Sequence, residues 1–198
     1  CSNNGGTTTT PTPDADANNE GGNTGCTITI GLVTDLGGID DKSFNQGTWE
    51  GVVQFAEDNN MGEECYGYLQ SSADADYIPN LSTFADQKKD LIEAPGFLFE
   101  DAMKEVADLY PDQKFAIIDD ASNADLDNVT CMMFEQEQAS YLVGLAAGYT
   151  TESNIVGFVT GAANETMNSF GYGYCAGVLD ANPDATILKS EAKRVLGR

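Results

Sequence analysis

Ile30-Gly31-Leu32-Val33-Thr34-Asp35-Leu36-Gly37-Gly38-Ile39-Asp40-Asp41-Lys42-Ser43-Phe44-Asn45-Gln46 is the stretch from which the fold is read. Its first part belongs to a run rich in β-branched residues, Thr27 to Val33, of the kind that suits a buried strand. Gly37-Gly38 then permits a sharp turn, because glycine takes positive φ without steric cost. Ser43 stands where an N-cap is expected, ahead of a helix running toward Glu57. Strand, glycine turn and helix in that order open an α/β unit, and in open α/β sheets ligands sit beyond the carboxyl ends of the strands. Thr34, Asp35, Phe44 and Asn45 cluster at such an end. They offer a hydroxyl, a carboxylate, a ring and an amide, a set that suits a small polar aromatic ligand.

The rest of the chain continues the alternation. Strands are expected at 27–34, 64–70, 90–93, 114–118, 129–134 and 155–160, with one more starting at 185–189. Helices are expected at 43–58, 77–88, 98–109, 135–149 and 165–181. Helical spacing points Trp49, Val52, Val53 and Ala56 inward, then Tyr77, Leu81, Phe84 and Ala85, then Phe99, Met103 and Val106. This βαβα rhythm predicts parallel sheets covered by helices on both faces.

Composition limits what the chain does. Its 198 residues suffice for one domain or two small lobes. Lys and Arg number 9 against 32 Asp and Glu, for a net charge of -23, which argues against nucleic acid or an anionic membrane as a charge-matched partner. Four of the basic residues, Lys189, Lys193, Arg194 and Arg198, fall in the last ten positions. There is no His, so Ser-His-Asp and Cys-His catalysis and His-ligated metals lie outside the repertoire of these residues. The five cysteines show no CxxC spacing, so neither a zinc site nor a redox motif is indicated. Cys65, Cys131 and Cys175 lie in or beside apolar segments and read as core thiols, with pairing left open. No apolar run reaches the length of a membrane span.

Residues 1–25 have no aromatic, no Leu, Ile or Val and no basic residue. Such a segment buries too little surface to fold and reads as a linker with a reach of roughly 28 Å. Cys1 ahead of it reads as the lipid-bearing residue of a processed lipoprotein, the linker holding the body off the membrane. A chain that merely begins at Cys is the alternative.

The stretch from Val33 to Gln46 resembles the signature of the basic membrane protein family, the PnrA-like lipoproteins that bind purine nucleosides for ABC transporters. Similar blocks continue through Asp90-Leu91-Ile92, Gly96-Phe97-Leu98-Phe99-Glu100-Asp101-Ala102 and Tyr110 to Asp119, then Glu137 to Gly144 and Val156-Gly157-Phe158-Val159. The resemblance implies an α/β type I periplasmic-binding-protein fold, two Rossmann-like lobes closing over a cleft. On that template 1–25 is the linker, 26–133 the first lobe and 134–198 the start of a second lobe that is incomplete here. Family members are considerably longer, and the remainder is expected to supply the rest of lobe two and the return crossing to lobe one.

The resemblance also assigns roles. Phe44 is expected to stack on the purine, a contact worth about 1–3 kcal/mol per base; packing against its own helix is the alternative. Asp35 is expected to accept hydrogen bonds from base or sugar, or else to serve the turn. Asn45 matches a base edge that presents both a donor and an acceptor, or acts as a cap. Asp119, with Asp120 as its neighbouring alternative, is expected at the ribose hydroxyls. Gly96 and Phe97 are expected to line the cleft, with core packing of Phe97 as the alternative. Phe170, in the helix that follows strand 155–160, is expected among the ligand-binding residues. There the family's Gly-Gly-Met-Asp type turn is replaced by Thr160-Gly161-Ala162-Ala163-Asn164, with Ala163 at the acidic position.

The resulting expectation is a substrate-binding protein without catalytic residues, metal or cofactor. It is anchored through Cys1 on the extracytoplasmic face and passes a purine nucleoside to permease and ATPase subunits. A surface lipoprotein using the same fold for sensing or adhesion is the second reading. A Rossmann-like enzyme is the third, opposed by the lack of GxGxxG and of a P-loop Lys-Ser/Thr after strand one.

Overall fold

A computed structural model describes residues 26–161 and 164–192. The linker, Cys1, Ala163 and the basic residues Lys193, Arg194 and Arg198 lie outside the described residues. The elements run β1 (Ile30–Thr34), α1 (Phe44–Asp58), β2 (Tyr66–Gln70), α2 (Tyr77–Asp86), β3 (Leu91–Pro95), α3 (Glu100–Leu109), β4 (Phe115–Ile118) and β5 (Val129–Met132). They continue with α4 (Gln136–Thr150), β6 (Ile155–Thr160), α5 (Glu165–Ala181) and β7 (Thr186–Glu191). The strand and helix alternation expected from sequence is present throughout, with β1 starting three residues later than its β-branched run.

β1 to β5 form one sheet in the order β2-β1-β3-β4-β5, and β6 and β7 form a second. Every pairing is parallel. The period-2 alternation of each strand sends neighbouring residues to opposite faces. Val33, Ile92, Ala94, Phe115 and Ile117 meet Leu81, Phe84, Met103 and Val106 of α2 and α3 in one continuous core. Fully burying each large side chain there contributes about 1.5–3 kcal/mol. A Cβ on Gly31 would come within 2.7 Å of the Phe84 ring, so glycine lets α2 approach β1 closely.

The other face carries Ile30, Leu91, Glu93, Ile118 and Met132. With Phe44, Val52 and Phe55 of α1 they line an apolar groove of about 640 Å³. Burial alone pushes the Glu93 carboxyl above its usual range. Trp49 of α1 packs on the edge strand β2, 5.6 Å from Tyr66 and 5.0 Å from Tyr68 between ring centroids.

The second sheet is accompanied by α4 and α5, which touch through glycines. A side chain on Gly144 would collide with the Tyr174 carbonyl, and one on Gly177 with the Tyr141 carbonyl. The expectation of three core thiols is corrected. Cys65 is fully buried but disulfide-bonded to Cys26, while Cys131 and Cys175 are free and half-buried. The bond joins the segment before β1 to the turn before β2.

Candidate ligand-binding site

In the order β2-β1-β3, the connections leaving β1 and β3 run to opposite sides, and the crevice between them is where such sheets receive ligands. Asp35 follows β1, and Gly96 follows β3. Gly96 has φ +93, a conformation that L side chains rarely adopt, and its N–H donates to the Ile118 carbonyl at 2.7 Å. This end of the sheet therefore carries a main-chain feature of β3 and β4 as well as side chains.

The loop from Asp35 to Asn45 is held by carboxylates. Asp41, not Ser43, caps α1. Its Oδ1 accepts the N–H groups of Ser43 at 2.8 Å and Gln46 at 3.1 Å, while its Oδ2 accepts the N–H of Asn45 at 3.2 Å. The Ser43 side chain makes no capping bond. Partial burial works to raise the Asp41 carboxyl, but the hydrogen bonds from Gln46, Ser43 and Asn45 outweigh it and hold the group below its usual range. Thr34 is fully buried; its hydroxyl donates to the Asp35 carbonyl at 3.1 Å and accepts the Ser71 N–H at 3.4 Å.

Asn45 differs from the expectation of a base-reading amide. It is fully buried, its Oδ1 accepts the Asp35 N–H at 3.0 Å, and its Nδ2 donates to Asp35 Oδ1 at 2.5 Å and to Asp41 Oδ2 at 2.9 Å. An amide whose donors and acceptor are engaged in this way has nothing to offer a ligand without losing a buried bond. Asp35 is half-buried, and its Oδ1 also accepts the Gly37 N–H at 2.7 Å. Tyr77 packs on Phe99, 4.4 Å between centroids, and so joins the start of α2 to the turn after β3. Its buried hydroxyl finds no partner among the described residues, and burial together with Asp74 and Asp35 pushes it up to about 12.

Phe44 opens α1 and is 46% exposed, so it is not a core residue; it faces the apolar groove. Phe97 is half-buried and lines a second cavity of about 810 Å³ with Asp120, Phe134, Gln136, Asn164 and Tyr172. This cavity lies between the carboxyl ends of the first sheet and the start of α5. Phe134 lines both spaces and links them. Asp119 has φ 62 and donates its N–H to the Met132 carbonyl at 2.8 Å. Burial, then the neighbouring Asp120, pushes its carboxyl above the usual range. Asp120 is the more buried of the two, and it accepts the Ser122 N–H at 2.8 Å. Phe170 lines neither space, and its carbonyl accepts the Ser140 hydroxyl at 2.6 Å, tying α5 to α4.

Sequence reasoning missed Phe134, Gln136, Asn164, Asn168 and Tyr172, all lining the larger cavity. A signal was present: Asn164, Asn168 and Tyr172 follow one another at i, i+4 and i+8, one helical face starting at the cap of α5. Asn164 is that cap, accepting the Met167 N–H at 2.8 Å. Gln136 Oε1 is buried without a hydrogen bond among the described residues.

The model of the PnrA-like ABC transporter substrate-binding protein family matches residues 28–194. A CD4+ T-cell-stimulating antigen of Listeria monocytogenes is 45% identical over 162 residues, covering 81% of this chain and 45% of that protein. The ABC transporter nucleoside-binding protein BmpA of Lactococcus lactis is 32% identical over 173 residues, covering 87% of this chain and 49% of its own length. A solute-binding protein of an ABC transporter system from Aeropyrum pernix superposes with a TM-score of 0.69 at 27% identity, covering 83% of this chain and 47% of that one. The chain thus spans about half the length of the curated relatives it matches.

Proposed function

The chain belongs to the PnrA-like family of ABC transporter substrate-binding proteins, and on that premise we propose that it binds a purine nucleoside and delivers it to a permease and its ATPase. The nucleoside lies beyond the carboxyl ends of β1, β3 and β4. Phe44 stacks on the base, Asp35 and Asp119 accept its N–H and hydroxyl hydrogens, and Phe97 closes the wall beside Gly96. The free energy of transport comes from the ATPase, so the binding protein has only to select and release.

One observation carries this reading. An exposed ring, Phe44, stands next to Asn45, whose amide fixes the half-buried carboxylate Asp35 at the crevice between β1 and β3. A ring and a fixed acceptor suit a flat base that carries N–H groups. The name of the Lactococcus lactis relative, a nucleoside-binding protein, supports the ligand class. The Cys26–Cys65 disulfide supports an extracytoplasmic location, since such bonds persist in oxidising compartments. Lipid on Cys1 then tethers the protein to the outer face of the cell membrane.

The test is a thermal-shift and calorimetric series on the protein with adenosine, guanosine, inosine, cytidine and free ribose. Binding to the native state raises stability by mass action, so purine nucleosides are expected to raise the unfolding midpoint while ribose leaves it unchanged. Stabilisation by ribose or cytidine, with none by the purine nucleosides, refutes the assignment.

A further inference from the structure

Gly37 sits at the centre of three side chains. A Cβ there would meet Asp35 Oδ1 at 3.0 Å, Asn45 Nδ2 at 3.1 Å and the Asp41 Cβ at 3.2 Å. The three are joined in series. Asp41 Oδ2 accepts from Asn45 Nδ2 at 2.9 Å, and the same nitrogen donates to Asp35 Oδ1 at 2.5 Å. Asn45 Oδ1 closes the link by accepting the Asp35 N–H at 3.0 Å. Asp35 Oδ1 is occupied by Asn45 and by the Gly37 N–H, whereas its Oδ2 makes no hydrogen bond among the described residues.

We propose that Asp41 is the positioning residue of the nucleoside site: through the buried amide of Asn45 it anchors Asp35 by Oδ1 and leaves Oδ2 for the ligand. The inference rests on the function proposed above and assigns Asn45 a place behind the contact surface rather than on it. The chemistry requires a carboxylate at position 41. Asp41 faces four donors, the N–H groups of Ser43, Asn45 and Gln46 and the Asn45 amide nitrogen. Only an ionised carboxylate has two oxygens that accept and none that donate. An asparagine at 41 sets its own NH₂ against that of Asn45 or gives up the main-chain N–H groups. Turning the Asn45 amide to relieve this removes the acceptor from the Asp35 N–H and the donor from Asp35 Oδ1 together. A serine at 41 retains capping power for α1 but lacks the second oxygen that holds Asn45.

A double-mutant cycle on the protein tests the chain of action, with inosine as the probe in calorimetric titration. Asp41→Asn and Asp41→Ser are each expected to weaken binding about tenfold or more, with Asp41→Ser keeping most of the unfolding midpoint. In an Asp35→Asn background the same changes are expected to cost less than about twofold, because groups acting through one another are not additive. Equal losses in both backgrounds, or a lowered midpoint with unchanged affinity, overturn the proposal and leave Asp41 as a helix cap. A crystal structure of ligand-free Asp41→Asn decides the matter independently of the ligand. Asn45 turned and Asp35 Oδ1 released is the expected result, while both side chains unmoved overturns it. If the unaltered protein binds no nucleoside, the proposed function falls, and that crystal structure still decides whether Asp41 holds Asp35.

Discussion

Replacing Cys26 and Cys65 together by alanine removes a bond between residues 39 apart in sequence. The link ties the segment entering β1 to the turn entering β2, and β2 is an edge strand held by a single neighbour. Chain-entropy bookkeeping for a closed loop of that length gives a loss of about 4 kcal/mol at 25 °C. Cys65 is only 1% exposed, so the missing sulfur atoms leave a small void that adds in the same direction. Urea unfolding of the 198-residue chain, followed by circular dichroism, measures the effect. The unaltered chain under reducing agent should fall within about 1 kcal/mol of the alanine pair, since both lose the same constraint. Nucleoside affinity should be unchanged, because the disulfide lies at the amino ends of β1 and β2 and the proposed site at the carboxyl ends. A loss below about 1 kcal/mol would refute the view that this bond holds the edge strand. A large loss of affinity at intact stability would place the site elsewhere.

Other substitutions probe the remaining layers. Phe44→Ala should weaken purine nucleoside binding by about 1–3 kcal/mol in calorimetric titration, with Phe44→Tyr milder; a collapsed unfolding midpoint at unchanged affinity would make Phe44 a packing residue. Gly144→Ala drives a methyl group into the Tyr174 carbonyl and should separate α4 from α5, with a cost of about 1–3 kcal/mol in urea unfolding; a neutral result would mean that the helices slide apart freely. Glu93 has its folded pKa raised by burial, so the native state holds this proton more tightly than the unfolded chain does, and stability falls as pH rises through the folded pKa. Glu93→Gln should therefore stabilise the 198-residue chain at pH 7, with the gain vanishing below the ordinary Glu range; equal gains at pH 7 and pH 4 would exclude Glu93 titration as the cause.

The order of strands and helices is written locally. Residues such as Val33, Leu81, Phe84, Met103 and Val106 recur at strand or helix spacing, and each was legible from its near neighbours before any packing was known. The carboxyl edge at which the proposed site lies was legible for the same reason. A strand that ends at Thr34 and a helix that starts at Phe44 place Asp35 and Phe44 at a carboxyl edge whatever lies across from them. The family blocks from Val33 to Val159 pointed to the family.

Pairings between distant residues carry no such local mark. Cys26 and Cys65 look like any two cysteines until β1 and β2 lie side by side. Asn45 shows the limit most sharply. Its amide has donors and an acceptor in any context, and a chain written in letters leaves open whether a base or a neighbour takes them. Folding brings Asp35 and Asp41 to the two sides of that amide and buries it completely, which uses up its bonding capacity. The lining of the larger cavity has the same origin. Phe134 and the α5 face through Asn164, Asn168 and Tyr172 meet Phe97 and Asp120 only when folding brings the start of α5 to the carboxyl ends of the first sheet. Periodicity depends on neighbours three or four residues away, whereas hydrogen-bond partners and cavity walls depend on contacts across the whole chain.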